Sequence, residues 1–127
     1  MTLVHGIDLV EIDRIEDMLA KHGEAFLQRV FTDTEQRDAA AGGPRQAEHL
    51  AARFAAKEAV FKALGTGWSG GVAWTDVGVQ RALGGQPQVV IAGEAARVAA
   101  DLGVMQWALS LSHTKGHAMA SVVGTNA

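Results

Sequence analysis

The sequence predicts an α+β domain, a small and mainly antiparallel sheet packed against a long central helix and shorter N-terminal helices. Three observations predict it. A β-favouring segment opens the chain, a long run of helix formers occupies its middle, and alternating apolar and polar residues between glycine-containing turns fill the second half. At 127 residues, 48% of them apolar, one core can form without staples, so residues 1–127 are expected to fold as a single domain.

Each element has its own signal. Residues 3–10 are short and β-favouring, and Asp13 followed by Glu16 has the spacing of a capping box that opens a first helix. Gly23 ends that helix, a short helical piece continues to Phe31, and Thr32 with Glu35 forms a second capping-box signature. Gly42, Gly43 and Pro44 make a loop. The long helix then spans residues 46–64, with Gly65 as a left-handed C-cap and Gly67 freeing the chain to turn. Beyond it, WTDVGVQRA and QPQVVIA read as two strands joined across Gly84 and Gly85, and GEAARVAADLG as a helix. WALSLSH and AMASVV read as a terminal hairpin around residues 114–116.

Composition excludes several classes of function. The absence of cysteine removes disulfide frameworks, thiolate zinc sites and cysteine nucleophiles together, and fits a cytosolic location. The start, MTLVHGIDLVEIDRI, lacks the pattern of a leader, and no window approaches the roughly 20 apolar residues that span a bilayer, so no membrane partner is expected. Eleven basic against fourteen acidic residues give a net charge of −3, which argues against a nucleic-acid binder that relies on a broad positive field. His5, His22, His49 and His117 are scattered without metal-ligand spacing.

The central helix carries the informative charges. On a wheel of 100° per residue, Leu50, Phe54, Phe61 and Leu64 make one apolar stripe, and Lys57 falls on it, where the ordinary reading is a stem that snorkels to solvent. Glu58 and Lys62 are four apart on a flank, the spacing of a surface ion pair worth a few tenths of a kcal/mol. The helix end argues for more. Glu58, Lys62 and Gly65 project along one edge within about two turns, offering a carboxylate, an ammonium and exposed backbone to a phosphate. Magnesium suits such a place, since one or two carboxylates plus substrate phosphates typically hold it. Glu58 supplies half of a metal site. Asp8, between Ile7 and Leu9 on the first strand, is the best candidate for the other half, with a buried acid satisfied by backbone donors as the competing reading.

GIDLVEIDRI near the start, RFAAKEAVFKALGTG in the middle, QPQVVI after it and LSLSHT near the end, in this order and spacing, resemble the holo-[acyl-carrier-protein] synthases, the small stand-alone 4′-phosphopantetheinyl transferases. The likeness covers essentially the whole chain, and its first two motifs together are highly specific. It implies transfer of the phosphopantetheine arm of coenzyme A to a serine of apo-acyl carrier protein, with Mg²⁺ as cofactor and adenosine 3′,5′-bisphosphate released. Carried over by residue, Asp8 and Glu58 are the metal ligands and Lys62 lies by the phosphates. Arg53 holds the 3′-phosphate, His113 approaches the nucleotide's phosphate region, and Gly65, Pro87 and Thr114 belong to the nucleotide pocket. Either Glu58 or Asp8 could take the serine proton. The resemblance further implies a homotrimer with its sites between subunits.

An acidic carrier calls for a basic docking face with an apolar centre. Arg14, Met18 and Lys21 share one face of the first helix, Gln28 and Arg29 are candidates to extend it, and Met18 has a simple core role as its alternative. Glu16 and Asp17 beside this face, and the acidic total, depart from the family pattern and bear on carrier choice. Gly78 also departs from it, and a bulge is one reading of that glycine. Two other functions compete: a catalytically silent coenzyme A-binding sensor, and the same transferase serving a polyketide or peptide-synthase carrier.

Overall fold

The computed structural model describes residues 1–66 and 71–127. Strand β1 (Leu3–Glu11) leads into helices α1 (Ile12–His22), α2 (Glu24–Val30) and α3 (Asp33–Ala41), and the 19-residue helix α4 (Gln46–Leu64) follows a single 3₁₀ turn. Then come β2 (Val77–Arg81), β3 (Pro87–Ile91), α5 (Gly93–Leu102), β4 (Gln106–His113) and β5 (His117–Thr125). The α+β expectation holds, and the strands divide into two antiparallel sheets: β1-β5-β4, and β2-β3. Gly78 pairs with Val90 in an unbroken β2-β3 register, so there is no bulge at it.

Local chemistry explains the boundaries. Thr32 Oγ1 accepts from the Glu35 amide at 3.2 Å while Glu35 Oε1 accepts from the Thr32 amide at 2.8 Å, the reciprocal pair that starts α3. Gly65 ends α4 at φ 78°, ψ 10°, and Gly23 separates α1 from α2 at φ 49°. The first capping box does not form. Helix α1 starts at Ile12 with Glu11 as N-cap and no side-chain cap bond, which leaves Asp13 as an acidic first-turn residue. The turn expected at Gly67 lies outside the described residues.

Helix α4 is the spine of the domain. Its alanines, Ala51, Ala52, Ala55, Ala56 and Ala59, let neighbours approach from nearly every side, so burial spreads far beyond the predicted stripe. Its N-terminal half packs with Ile12, Ile15, Phe26, Val30 and Phe31, its C-terminal half with Val77, Val79, Ala95, Ala99 and Val122. Strand β1 crosses α4 backbone to backbone at Gly6, where an added Cβ would sit 1.8 Å from the Ala59 carbonyl oxygen. Only glycine permits that approach.

Lys57 does not snorkel. It is completely buried and lies 2.6 Å from the equally buried Glu35 carboxylate. Its ammonium also donates to the carbonyls of Val77 and, at 3.4 Å, Trp74, while Glu35 Oε2 accepts from the Val79 amide at 2.9 Å. Burial pushes the lysine pKa down and the Glu35 charge opposes that shift. The pair ties α3, α4 and β2 together.

Candidate functional site

The Gly6 crossing decides where the first acid goes. Asp8, on the same inward face of β1 as Gly6, comes up against α4, while Ile7 and Leu9 point outward and stay exposed. Lys62 Nζ donates to Asp8 Oδ1 and to the Ile7 carbonyl, both at 3.0 Å. The predicted Glu58–Lys62 surface pair is thereby replaced, because the ammonium reaches across to the strand. Glu58 lies close enough to feel this group: its pKa is raised first by burial and then by the Asp8 charge, with Lys62 and Arg14 pulling the other way.

Two carboxylates that repel one another from separate elements suit a hard divalent cation, which prefers oxygen ligands and leaves room for water and substrate phosphates. Among the described residues no cluster of three or more His, Asp or Glu forms a closed all-protein metal cage. The Asp8 side chain is 13% exposed and that of Lys62 54%, so the place is open to a ligand.

The remaining predicted nucleotide residues gather elsewhere. Arg53 and Pro87, with Arg81, Gln86 and residues 109–111, line a cleft of 510 Å³ along edge strand β4. Arg53 precedes Glu58 by five residues, about 140° around the helix. It is only 5% exposed, and its Nε finds no hydrogen-bond partner among the described residues. Burial, then the Arg81 charge, lowers the pKa of this guanidinium, and the Asp38 and Glu35 charges oppose that shift. His113, at the end of β4, pairs through Nε2 with Glu48 of α4, and Thr114 closes the β4-β5 turn through a 3.2 Å bond from the His117 amide. Asp8 on β1 and His113 on β4 thus occupy opposite edges of the three-stranded sheet, with β5 between them and strands about 4.8 Å apart. Gly65 lies exposed one turn beyond Lys62, on the Glu58 side.

A third hollow, 340 Å³, opens between α1, α2 and α4. Arg14, Met18, His22 and Arg29 surround a floor that includes Phe26, Phe54 and Trp74. The Trp74 indole stacks on Phe54 with centroids 5.1 Å apart, and the Arg14 guanidinium sits 5.5 Å from the Phe54 ring. Met18 both lines the hollow and packs on the core, so its two predicted roles coexist. Lys21 is exposed and does not line it; His22, one position further round α1, does.

Comparison with known proteins places this architecture. The family model described as the 4′-phosphopantetheinyl transferase superfamily matches residues 5–121, nearly the whole chain. The chain belongs to that superfamily. It is 46% identical over 123 residues to a holo-[acyl-carrier-protein] synthase of Gloeobacter violaceus (strain ATCC 29082 / PCC 7421), covering 95% of this chain and 92% of the relative. The transferase also resembles the crystal structure of the Neisseria meningitidis holo-[acyl-carrier-protein] synthase, with a TM-score of 0.87 at 33% identity, covering 98% of this chain and 99% of that one. The corresponding Bacillus anthracis enzyme, solved in complex with CoA (3′,5′-ADP), aligns with a TM-score of 0.79 at 36% identity over 98% and 97% of the two chains.

In this transferase, Lys62 bonds to Asp8 across the β1-α4 crossing and Glu58 feels the charge of both. Arg53 and Pro87 share one cleft, and His113 stands on the same edge strand. Sequence reading missed Arg81, Phe54 and Trp74 as lining residues. Arg81 ends a strand with no motif around it, and nothing in the spacing of the two aromatics shows the hollow that they line.

Proposed function

We propose that the chain transfers the 4′-phosphopantetheine arm of coenzyme A to a serine of apo-acyl carrier protein. What carries the reading is the meeting of Asp8, Glu58 and Lys62 at the β1-α4 crossing of a superfamily member. In this reading Asp8 and Glu58 hold Mg²⁺, which when bound neutralises charge on the pyrophosphate oxygens. Lys62 spends two N–H donors on Ile7 and Asp8 and keeps a third for a phosphate oxygen. The serine oxygen forms a bond to the β-phosphorus, the bridging P–O bond breaks, and adenosine 3′,5′-bisphosphate departs. Glu58 takes the serine proton: burial and the neighbouring Asp8 charge raise its affinity for one, whereas Asp8 is already engaged by Lys62.

Arg53, with its unpartnered Nε, holds the 3′-phosphate, and Pro87, His113, Thr114 and, beyond Lys62, Gly65 complete the nucleotide pocket. Because Asp8 on β1 and His113 on β4 sit at opposite edges of the sheet, the complete site forms between subunits of a homotrimer. The outer sheet face supports this, since Leu3, Ile7, Leu9 and Met119 are exposed side by side. Mixing Arg53→Ala with Glu58→Gln chains, each inactive alone, is expected to restore about a quarter of native activity, because one interface in four then carries both intact halves. No recovery after verified subunit exchange places the site within one chain.

The carrier docks on the basic, apolar-floored hollow at Arg14 and Met18, with Lys21 exposed on the same helix. In this setting the enzyme serves fatty-acid synthesis in the cytosol. The direct test is incubation with coenzyme A, Mg²⁺ and apo-carrier, followed by intact mass: a gain of about 340 Da on the carrier marks the transferred arm. Coenzyme A binding without any gain on several carriers would instead indicate a sensor. Arg14→Glu is expected to raise the KM for carrier about tenfold or more and to leave the KM for coenzyme A nearly unchanged. An unchanged carrier KM removes this face from docking.

A further inference from the structure

The buried Glu35–Lys57 pair lies outside the proposed chemistry, yet the three N–H donors of its ammonium all have acceptors: Glu35 Oε1, the Val77 carbonyl and the Trp74 carbonyl. Two of the three belong to the 74–77 segment, which begins with the 3₁₀ turn Trp74–Asp76 and runs into β2. The Glu35 carboxylate holds the same segment from the other side by accepting the Val79 amide, and is itself fixed by the Thr32 amide. The turn has bonds of its own, from the Asp76 amide to the Ala73 carbonyl, from the Ala73 amide to Asp76 Oδ2 and from the Ala92 amide to the Asp76 carbonyl, and the two charged side chains add bonds that tie it and the start of β2 to α3 and α4.

What that turn carries is the Trp74 indole. It lies 5.1 Å from Phe54 in a stacked arrangement and 5.6 Å from Phe61 edge-on, and with Phe54 it walls the hollow at Arg14 and Met18. The Phe54 ring also receives the Arg14 guanidinium. Packed contacts therefore lead from Glu35 through Lys57, Trp74 and Phe54 to Arg14. An apolar pair of similar volume could fill the same core space. It could not hold two carbonyls of a turn in place.

We infer that Glu35 and Lys57 are positioning residues for the carrier-docking hollow: the buried pair fixes the Trp74–Val77 turn, and through it the aromatic wall against which the acyl carrier protein seats. The inference rests on the proposed role of that hollow, and one of its readouts is independent of catalysis. In a Trp68→Phe/Trp107→Phe background, Trp74 is the only indole. Glu35→Gln, which keeps one acceptor, and the paired Glu35→Leu/Lys57→Met replacement are introduced there and studied at a temperature where circular dichroism shows them folded.

Both variants are expected to shift the Trp74 emission to the red and to raise its acrylamide quenching. In the native-tryptophan background the carrier KM is expected to rise about tenfold while the coenzyme A KM stays within about twofold. A purely structural pair would lower the melting temperature and leave the emission, the quenching and the ratio of the two KM values unchanged; that result overturns the inference. A parallel rise in both KM values overturns it too. If the native protein transfers nothing, the functional reading falls by itself, and the emission and quenching still decide whether the pair sets the wall.

Discussion

Glu58→Gln is expected to abolish transfer while leaving the metal-free fold at least as stable as the native one. The Glu58 carboxyl is raised above its ordinary value of 4.5 by burial and by Asp8, so folding favours its protonated form. The contribution of this group to stability is therefore fully present below pH 4.5 and is lost as pH rises through its higher folded value. At neutral pH the ionised acid is a burden that a bound cation or a neutral glutamine relieves. Loss of a metal-ligating and proton-accepting group should lower kcat by roughly 10³-fold. Melting in EDTA should occur at the same or a higher temperature than for the native protein, and the rise produced by Mg²⁺ in the native protein should shrink or vanish. Native rates in the variant would strip Glu58 of its role, and a lower melting temperature in EDTA at pH 7.5 would contradict the electrostatics described for the site.

Lys57→Met carries the largest expected cost in stability. It leaves the Glu35 carboxylate buried without its cation and deprives two carbonyls of a donor, a combination worth about 3–5 kcal/mol. For a domain of this size that corresponds to a fall in Tm of about 10 °C or more. The paired Glu35→Leu/Lys57→Met replacement removes both charges together and should cost less than Lys57→Met alone. Urea denaturation of native protein, single and paired variants closes the cycle. A single variant within about 1 kcal/mol of native would mean that water reaches the carboxylate and that the pair is not sealed.

Much of the framework could be read before the structure because it is set by local chemistry. Residues 46–64 were bounded by a run of helix formers and by Gly65, and the Thr32–Glu35 capping box needs only its own four residues. What escaped reading depends on partners far along the chain. A helical wheel puts Lys57 at a solvent boundary because it shows a direction and not what lies there; what lies there is Glu35, whose capping role alone accounts for it in the sequence. Spacing pairs Lys62 with Glu58, its helical neighbour, whereas β1 offers it a carboxylate and a carbonyl together. Asp13 has the spacing of a cap, but the preceding strand runs on to Glu11 and passes into the helix two residues sooner. The displacement from Lys21 to His22 has another origin: the wall of the hollow opposite α1 comes from α2, α4 and Trp74, whose position no periodicity in α1 encodes.

The meeting of Gly6 with Ala59 bears on how this enzyme tolerates change. Main chain rests on main chain there, so the gap between the two acid-bearing elements is set by atoms common to every amino acid. Exchanges among the large side chains of the interior can soften or harden the protein while this spacing stays put. A lineage is then free to tune its melting point by drifting through its hydrophobic residues, provided one hydrogen atom at position 6 is never traded for a methyl group.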